Sequence, residues 1–171
     1  DEEAIVVLFL AGGSTGTAAA RVLFGDVNPA AKPPGTFPVS EDDTVAPCPA
    51  NQTDCPYDEG VLVGYRALEG RAVRFPFGAG ESYTTFELAL RAPPVMADGA
   101  LHVSVRVTNT GDRAGAEVAQ LYVRFPPESA GASPGPLVPR GFAKRLLQPG
   151  AAADVSVTVT ERELSTWDAR A

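Results

Sequence analysis

No apolar run in this chain approaches the roughly 20 residues that a membrane-spanning helix requires; the stretch Ala4 to Leu10 is far shorter. Positive charge is scarce as well. Fourteen Lys and Arg stand against 21 Asp and Glu, a net charge of −7, and the basic residues are scattered rather than gathered into a stripe. A phosphate backbone is repelled by such a surface, so nucleic acid is excluded as a partner. Histidine occurs once, at His102, and cysteine twice, at Cys48 and Cys55. That is too few for a structural zinc site, which takes four ligands, and no metal is expected. The first residue is Asp1, and Asp1-Glu2-Glu3 lacks the basic flank and small-residue cleavage site of a signal peptide. The front therefore reads as a cut within a longer protein.

The 171 residues are 44% hydrophobic and 20% charged, ordinary values for a folded protein with one core or two small ones. Both cysteines lie in a Pro- and Asn-rich loop, Pro47 to Pro56, which suits neither helix nor strand. A local disulfide between Cys48 and Cys55 is expected there. Between them, Asn51-Gln52-Thr53 forms an acceptor pattern for N-glycosylation at Asn51. Together the two features point to an oxidising, secretory compartment.

Residues 4–10 form a continuous Ile- and Val-rich run, which predicts a strand buried on both faces, as in a parallel sheet. The turn Gly12 to Gly16 follows, then a helix from Thr17 to Phe24, capped by Ser14 or Thr15 and ended by Gly25. Residues 26–60 have no periodicity and are expected to form a long irregular connection. Val61 to Arg66 could make a short strand. From about residue 82 the period becomes two. Leu101, Val103, Val105 and Val107 alternate with polar residues up to the turn Asn109-Thr110-Gly111-Asp112. Further strands are expected near Thr85–Leu90, Val118–Val123, Phe142–Leu147 and Val155–Thr160. About five strands fall short of the roughly seven of an immunoglobulin-like sandwich, so this region reads as incomplete.

A strand, Gly-rich turn and helix at the front also invite a phosphate-binding reading. Gly12, Gly13 and Gly16 do not make G-x-G-x-x-G, and no P-loop Lys follows. A plain turn is the better account, and no cofactor is expected.

Several segments in order resemble glycoside hydrolase family 3, the β-glucosidase and β-xylosidase group. Val22-Leu23-Phe24-Gly25-Asp26-Val27-Asn28-Pro29, Lys32 and Thr36-Phe37-Pro38 resemble the end of its α/β-sandwich domain. Glu59 to Arg66 resembles E-G-x-x-V-G-Y-R, and Phe75 to Phe86 resembles F-P-F-G-x-G-x-S-Y-T-T-F. Val107-Thr108-Asn109-Thr110-Gly111, Glu117 to Val123, Arg140-Gly141-Phe142 and Leu164 to Asp168 resemble the fibronectin type III-like domain that closes many such enzymes. Where the family has a Pro-Gly-Gln-Glu-Gly-Gly-like turn, this chain has Ala11 to Gly16 with no carboxylate.

The resemblance implies an α/β remnant, the last strand and helix of an α/β-sandwich domain, followed by an all-β fibronectin type III-like sandwich. The expected divisions are 1–38 for the remnant, 39–81 for a connector, and 82–171 for the sandwich, cut short at its C-terminus. It also implies a parent β-glucosidase that takes β-glucosides or oligosaccharides as substrate, without a cofactor. Retaining glycoside hydrolysis needs two carboxyl groups about 5–5.5 Å apart. In the family both precede the region matched here, so no catalytic residue is expected in this chain. Asp42-Asp43 and Asp58-Glu59 read as loop charges, Asp112 as a turn residue, and Glu161 and Glu163 as surface or helix-start groups. Tyr57, Tyr65, Phe75, Phe77, Tyr83, Phe86 and Trp167 could stack on sugars, though packing between domains accounts for them better. The rival reading is a stand-alone sandwich that binds carbohydrate or protein. Residues 1–38 discriminate, because an independent sandwich has no use for an apolar strand and helix at its front.

Overall fold

The computed structural model describes residues 4–45, 47–127 and 137–166. One helix, α1 (Thr15–Leu23), lies at the front. It begins two residues before the expected Thr17, behind a 3-10 turn over Gly12–Ser14. Ser14 holds the N-cap position without a side-chain cap bond, and Thr15 Oγ1 instead donates to the Gly12 carbonyl at 2.5 Å. Gly25, at φ 80°, ends the helix; its N–H donates to the Val22 carbonyl at 3.0 Å. Only glycine adopts that backbone without strain.

The run Ala4–Leu10 is not a buried strand. It pairs with no strand among the described residues, and Ile5, Val6, Val7, Leu8, Phe9 and Leu10 are all exposed. A parallel strand exists only beside another, and none of these residues offers one.

One small ladder joins the expected irregular connection over residues 26–60 to the segment that follows it. Strand β1 (Phe37–Pro38) pairs antiparallel with β2 (Val73–Phe75), and Phe37 meets Phe75 edge-on at 5.9 Å. The strand expected over Val61–Arg66 is absent. Gly64, at φ 58°, turns the chain into a 3-10 helix over Gly64–Arg66.

The rest is a sandwich of two antiparallel sheets. The larger contains β3 (Phe86–Leu90), β4 (Val95–Ala97), β5 (Ala100–Asn109) and β8 (Ala152–Thr160). Strand β5 is central. It pairs on one side with β3 and β4 in succession, and on the other with β8, from Ala100 opposite Thr160 to Thr108 opposite Ala152. Strand β4 has no counterpart in the sequence reading. It joins β5 through Asp98-Gly99, at φ 51° and 72°, the two positive values of a type I′ hairpin turn.

The smaller sheet holds β6 (Gly115–Arg124) and β7 (Leu137–Leu147). Their register shifts where Leu121 opposes Gly141 and Tyr122 opposes Pro139, so Arg140 is the extra residue of a bulge. Val107, Ala119, Leu147 and Val155 form the core between the sheets, with Phe86, Val105 and Ala143 against them. Val107 and Val159 are fully buried, each removing apolar area that contributes roughly 1.5–3 kcal/mol. Trp167, expected as a sandwich anchor, lies outside the described residues.

Candidate functional site

The chain's chemistry-bearing side chains converge on the seam where residues 22–38 and 64–84 meet β6. Asn28 is the first clasp. Its Oδ1 accepts from Ser82 Oγ at 2.9 Å and from the Tyr83 N–H at 2.8 Å. Tyr83 in turn donates its hydroxyl to the Val22 carbonyl at 2.9 Å, tying the end of α1 to the start of the sandwich. Gly115, the first residue of β6, lies directly beneath. A Cβ there would sit 2.7 Å from Thr84 Cγ2 and 2.8 Å from Asn28 Nδ2.

Lys32 and Glu117 make the second clasp, with Nζ 2.8 Å from Oε1 and both side chains mostly withdrawn from water. Glu117 Oε1 also accepts from the Val118 N–H at 2.7 Å. A partly desolvated pair of this kind fixes register, because either charge left alone would be costly.

An aromatic stack forms the third. Tyr65 and Phe77 lie parallel with centroids 4.4 Å apart, and Tyr122 of β6 meets Phe77 edge-on at 6.3 Å. Gly78, at φ 72°, brings its carbonyl 2.9 Å from Gln120 Nε2, and a Cβ there would lie 2.5 Å from Gln120 Oε1. The same Oε1 accepts from the Tyr122 hydroxyl at 2.5 Å. Burial, with Tyr65 nearby, pushes the Tyr122 hydroxyl pKa up, so it stays a donor.

Beside these clasps lies an open cleft of about 550 Å³, lined by Pro33, Pro34, Phe77, Val118, Gln120 and Phe142 among others. Among the described residues no carboxylate lines it.

Several of the acids are engaged elsewhere. Asp43 pairs with Arg71, Glu69 with Arg124, and Asp154 with both Arg91 and Arg106 at 3.4 Å. Glu163 accepts from the Thr160 N–H at 2.7 Å and its hydroxyl at 2.8 Å, closing a capping box. Those bonds hold the Glu163 carboxyl below the usual carboxylate range, and Arg124 does the same for Glu69. A general acid needs the opposite shift. Asp42, Asp58, Asp112 and Glu161 stand exposed.

His102 points outward on β5, with Nδ1 3.3 Å from Thr158 Oγ1. Among the described residues no group of three metal-ligating side chains occurs and no helix is long and apolar enough to cross a membrane. Cys48 and Cys55 face each other across their loop with Cα atoms 6.0 Å apart. Asn51 and Thr53 stand exposed at the tip, just where the Gln52 N–H closes a turn on the Pro49 carbonyl at 2.9 Å. Of the aromatics, Tyr57 is solvent-exposed, Phe75 packs on Phe37, and Phe86 packs against the core.

Sequence reasoning missed Asn28, Gln120 and Tyr122 as a connected seam. Their partners across the seam, Ser82 and Tyr83 for Asn28, Gly78 for Gln120 and Phe77 for Tyr122, lie more than 40 residues away along the chain, beyond the reach of any local pattern.

Residues 1–83 match the glycosyl hydrolase family 3 C-terminal domain, and residues 117–171 a fibronectin type III-like domain. A β-glucosidase of Rhizobium radiobacter is 39% identical over 98% of this chain and 22% of its own length. The thermostable β-glucosidase B of Acetivibrio thermocellus is 35% identical over 97% of this chain and 23% of its own. The crystal structure of a β-D-glucoside glucohydrolase from Trichoderma reesei superposes with a TM-score of 0.81 at 31% identity, covering 94% of this chain and 25% of that one. The chain thus spans about a fifth of the length of the curated relatives it matches.

Proposed function

Since this chain belongs to glycosyl hydrolase family 3, we propose that it is the non-catalytic scaffold end of a β-glucosidase, a protein that removes terminal non-reducing β-D-glucosyl residues with retention of configuration. In that reaction one carboxylate attacks the anomeric carbon while a carboxylic acid protonates the departing oxygen. Water then displaces the enzyme from the glycosyl intermediate. Both carboxyl groups belong to polypeptide outside these residues. The chain's own part is mechanical: residues 22–38 and 64–84 are clasped to β6, so the α/β layer and the sandwich hold one orientation.

The single observation that carries this reading is the placement of the acids. The ion-paired and capping carboxylates are committed to structural bonds, and none lines the cleft. The exposed apolar run at 4–10, with Leu23 and Phe24 also in water, favours a scaffold covered by further protein over a stand-alone binding module. The divisions at 38 and 81 remain our proposal for the domain limits.

One experiment tests this. The purified 171-residue chain should release no nitrophenol from an aryl β-glucoside. Exchanged for the matching fifth of the Rhizobium radiobacter β-glucosidase, it should support turnover. Inhibitor-sensitive hydrolysis by the chain alone, or a folded but inert chimera, would overturn the scaffold reading.

We further propose that the protein is secreted, with Cys48 and Cys55 disulfide-bonded and Asn51 glycosylated. Thiol alkylation that proceeds only after reduction supports the first, and a mass loss on treatment with an N-glycan amidase the second.

A further inference from the structure

A second cleft, of about 470 Å³, opens where the turn after α1 meets the turn that leads from β5 into β6. Phe24, Asp26 and Asn28 line it from the front, Tyr83 from the start of the sandwich, and Arg113 from the approach to β6. Its walls are fixed. Gly25 holds φ 80°, and a Cβ there would lie 3.3 Å from Arg113 Nη1, so the glycine leaves the guanidinium its place against the last turn of α1. A cation is favoured at that end of a helix. The Arg113 carbonyl accepts from Asn109 Nδ2 at 2.7 Å, which holds its backbone. Asn28 is pinned through Oδ1 by Ser82 and Tyr83, and Tyr83 by its hydroxyl on the Val22 carbonyl.

The polar groups of this cleft keep unused capacity. Among the described residues, the Asp26 carboxylate and the Arg113 guanidinium make no ion pair or hydrogen bond, with each other or with any neighbour. Asn28 Nδ2 carries two donor hydrogens and spends one on the Pro29 carbonyl at 3.0 Å. A carboxylate only accepts and a guanidinium only donates. Together they offer both partners that a hydroxyl group needs. Flat apolar surface lies beside them, since the Phe24 side chain is 85% exposed and Tyr83 40%. Aromatic rings of this kind cover the C–H face of a pyranose.

We propose that this cleft binds one neutral hexopyranose, free or at the end of a chain, with neighbouring hydroxyls donating to Asp26 and accepting from Arg113 and Asn28, and with its C–H face against Phe24. Charge selects for neutrality. One carboxylate and one guanidinium sum to zero, so a phosphate or uronate would be repelled by Asp26 and an amine by Arg113. A zwitterion would answer both charges but offers no ring face to Phe24. Protein laid over the cleft would have to bring a partner for each charge, because a buried unpaired charge is costly; a sugar brings both in one molecule. The inference stands on the cleft's own residues and does not rest on the hydrolase reading.

The test titrates D-glucose into the isotope-labelled 171-residue chain and follows its amide resonances. Saturable shifts of the Gly25, Asp26 and Ala114 amides are expected. Asp26→Asn and Arg113→Gln should each bind about tenfold more weakly, as the loss of a charge-assisted hydrogen bond implies. Both side chains stand in water, and circular dichroism verifies that the fold is kept. Asp112→Asn, at an exposed carboxylate outside the cleft, should bind as the parent does. Methyl β-D-glucopyranoside, whose anomeric oxygen is blocked, separates the two sources of such a ring: equal binding means that a chain end fits, and loss means the free sugar. Glycerol, a polyol with no ring face, and betaine, a zwitterion, should leave those amides unmoved. In the chimera with the Rhizobium radiobacter enzyme, glucose should slow the modification of Arg113 by phenylglyoxal, read by mass spectrometry of its peptide. No saturable shift, equal shifts from glycerol or betaine, or unchanged affinity in both variants would each overturn the proposal and leave the scaffold reading untouched. So would an active chimera in which glucose gives Arg113 no protection, since further protein would then fill the cleft.

Discussion

The sandwich and the segment in front of it are held by different forces. In the sandwich, period-two alternation over β5 and β8 puts Val107, Val155 and Val159 into one buried layer. In front, α1 has no buried residue, the ladder β1–β2 is two and three residues long, and the apolar run 4–10 stands in water. What orders the front is contact with the residues just before β3 and with β6: Asn28 on Ser82 and Tyr83, the Lys32–Glu117 pair, and the stack of Tyr65, Phe77 and Tyr122. A burial-driven core and a polar, point-fastened appendage should fail in different ways.

The largest expected effect strikes the sandwich. Asn109 is fully buried at the end of β5, and all its side-chain bonds are made inside the fold. Oδ1 accepts from Thr84 Oγ1 at 2.8 Å and the Gly111 N–H at 3.1 Å, while Nδ2 donates to the carbonyls of Arg113 at 2.7 Å and Leu147 at 3.1 Å. Asn109→Ala strands those partners, and an unsatisfied buried group costs about 1–3 kcal/mol. A loss of roughly 3–5 kcal/mol in urea-measured stability is predicted. A loss under 1 kcal/mol would mean that the sandwich does not depend on this polar knot.

A smaller effect should fall on the front alone. Asn28→Ala removes the bonds to Ser82 and Tyr83, a loss of about 1–2 kcal/mol. Amides of 15–38 should exchange faster, while those of β5 and β8 keep their protection, because the valine layer is untouched. Uniform loss of protection across both regions would erase the distinction between them.

The same contrast decides what could be read in the sequence. Strands β5 and β8 are long enough for alternation to declare them. At three residues β4 is too short for a period, although Asp98-Gly99 was a hairpin signal in plain view. The run 4–10 carries the composition of a buried strand, but composition names an environment and does not supply the neighbour that a strand must pair with. Val61-Leu62-Val63 has the apolar, β-branched composition of a strand until Gly64 takes a positive φ that the composition does not reveal. The seam was least legible. Asn28 meets Tyr83 across 55 residues and Gln120 meets Gly78 across 42, and only the folded chain brings them together.

The smallest prediction probes the seam at its exposed edge. Glu69, in the connecting segment, pairs with Arg124 at the end of β6, with Oε2 3.3 Å from Nη1. The Arg124 hydrogen bond holds the Glu69 carboxyl below its ordinary range, against the opposing effect of desolvation. A carboxyl whose pKa is depressed by folding adds stability above its unfolded value, about 4.3, and loses it as pH falls through the folded value. Glu69→Gln should therefore unfold slightly more easily than the parent at pH 7, and the gap should close as pH falls below about 4. The pair is solvent-exposed and screened, so 1 M salt should shrink the gap at pH 7 as well. Glu163, shifted in the same direction by Thr160, is present in both proteins and cancels in the difference. A gap that widened on acidification would show that Glu69 acts through something other than its charge, and that the front is fastened by packing rather than by polar contacts.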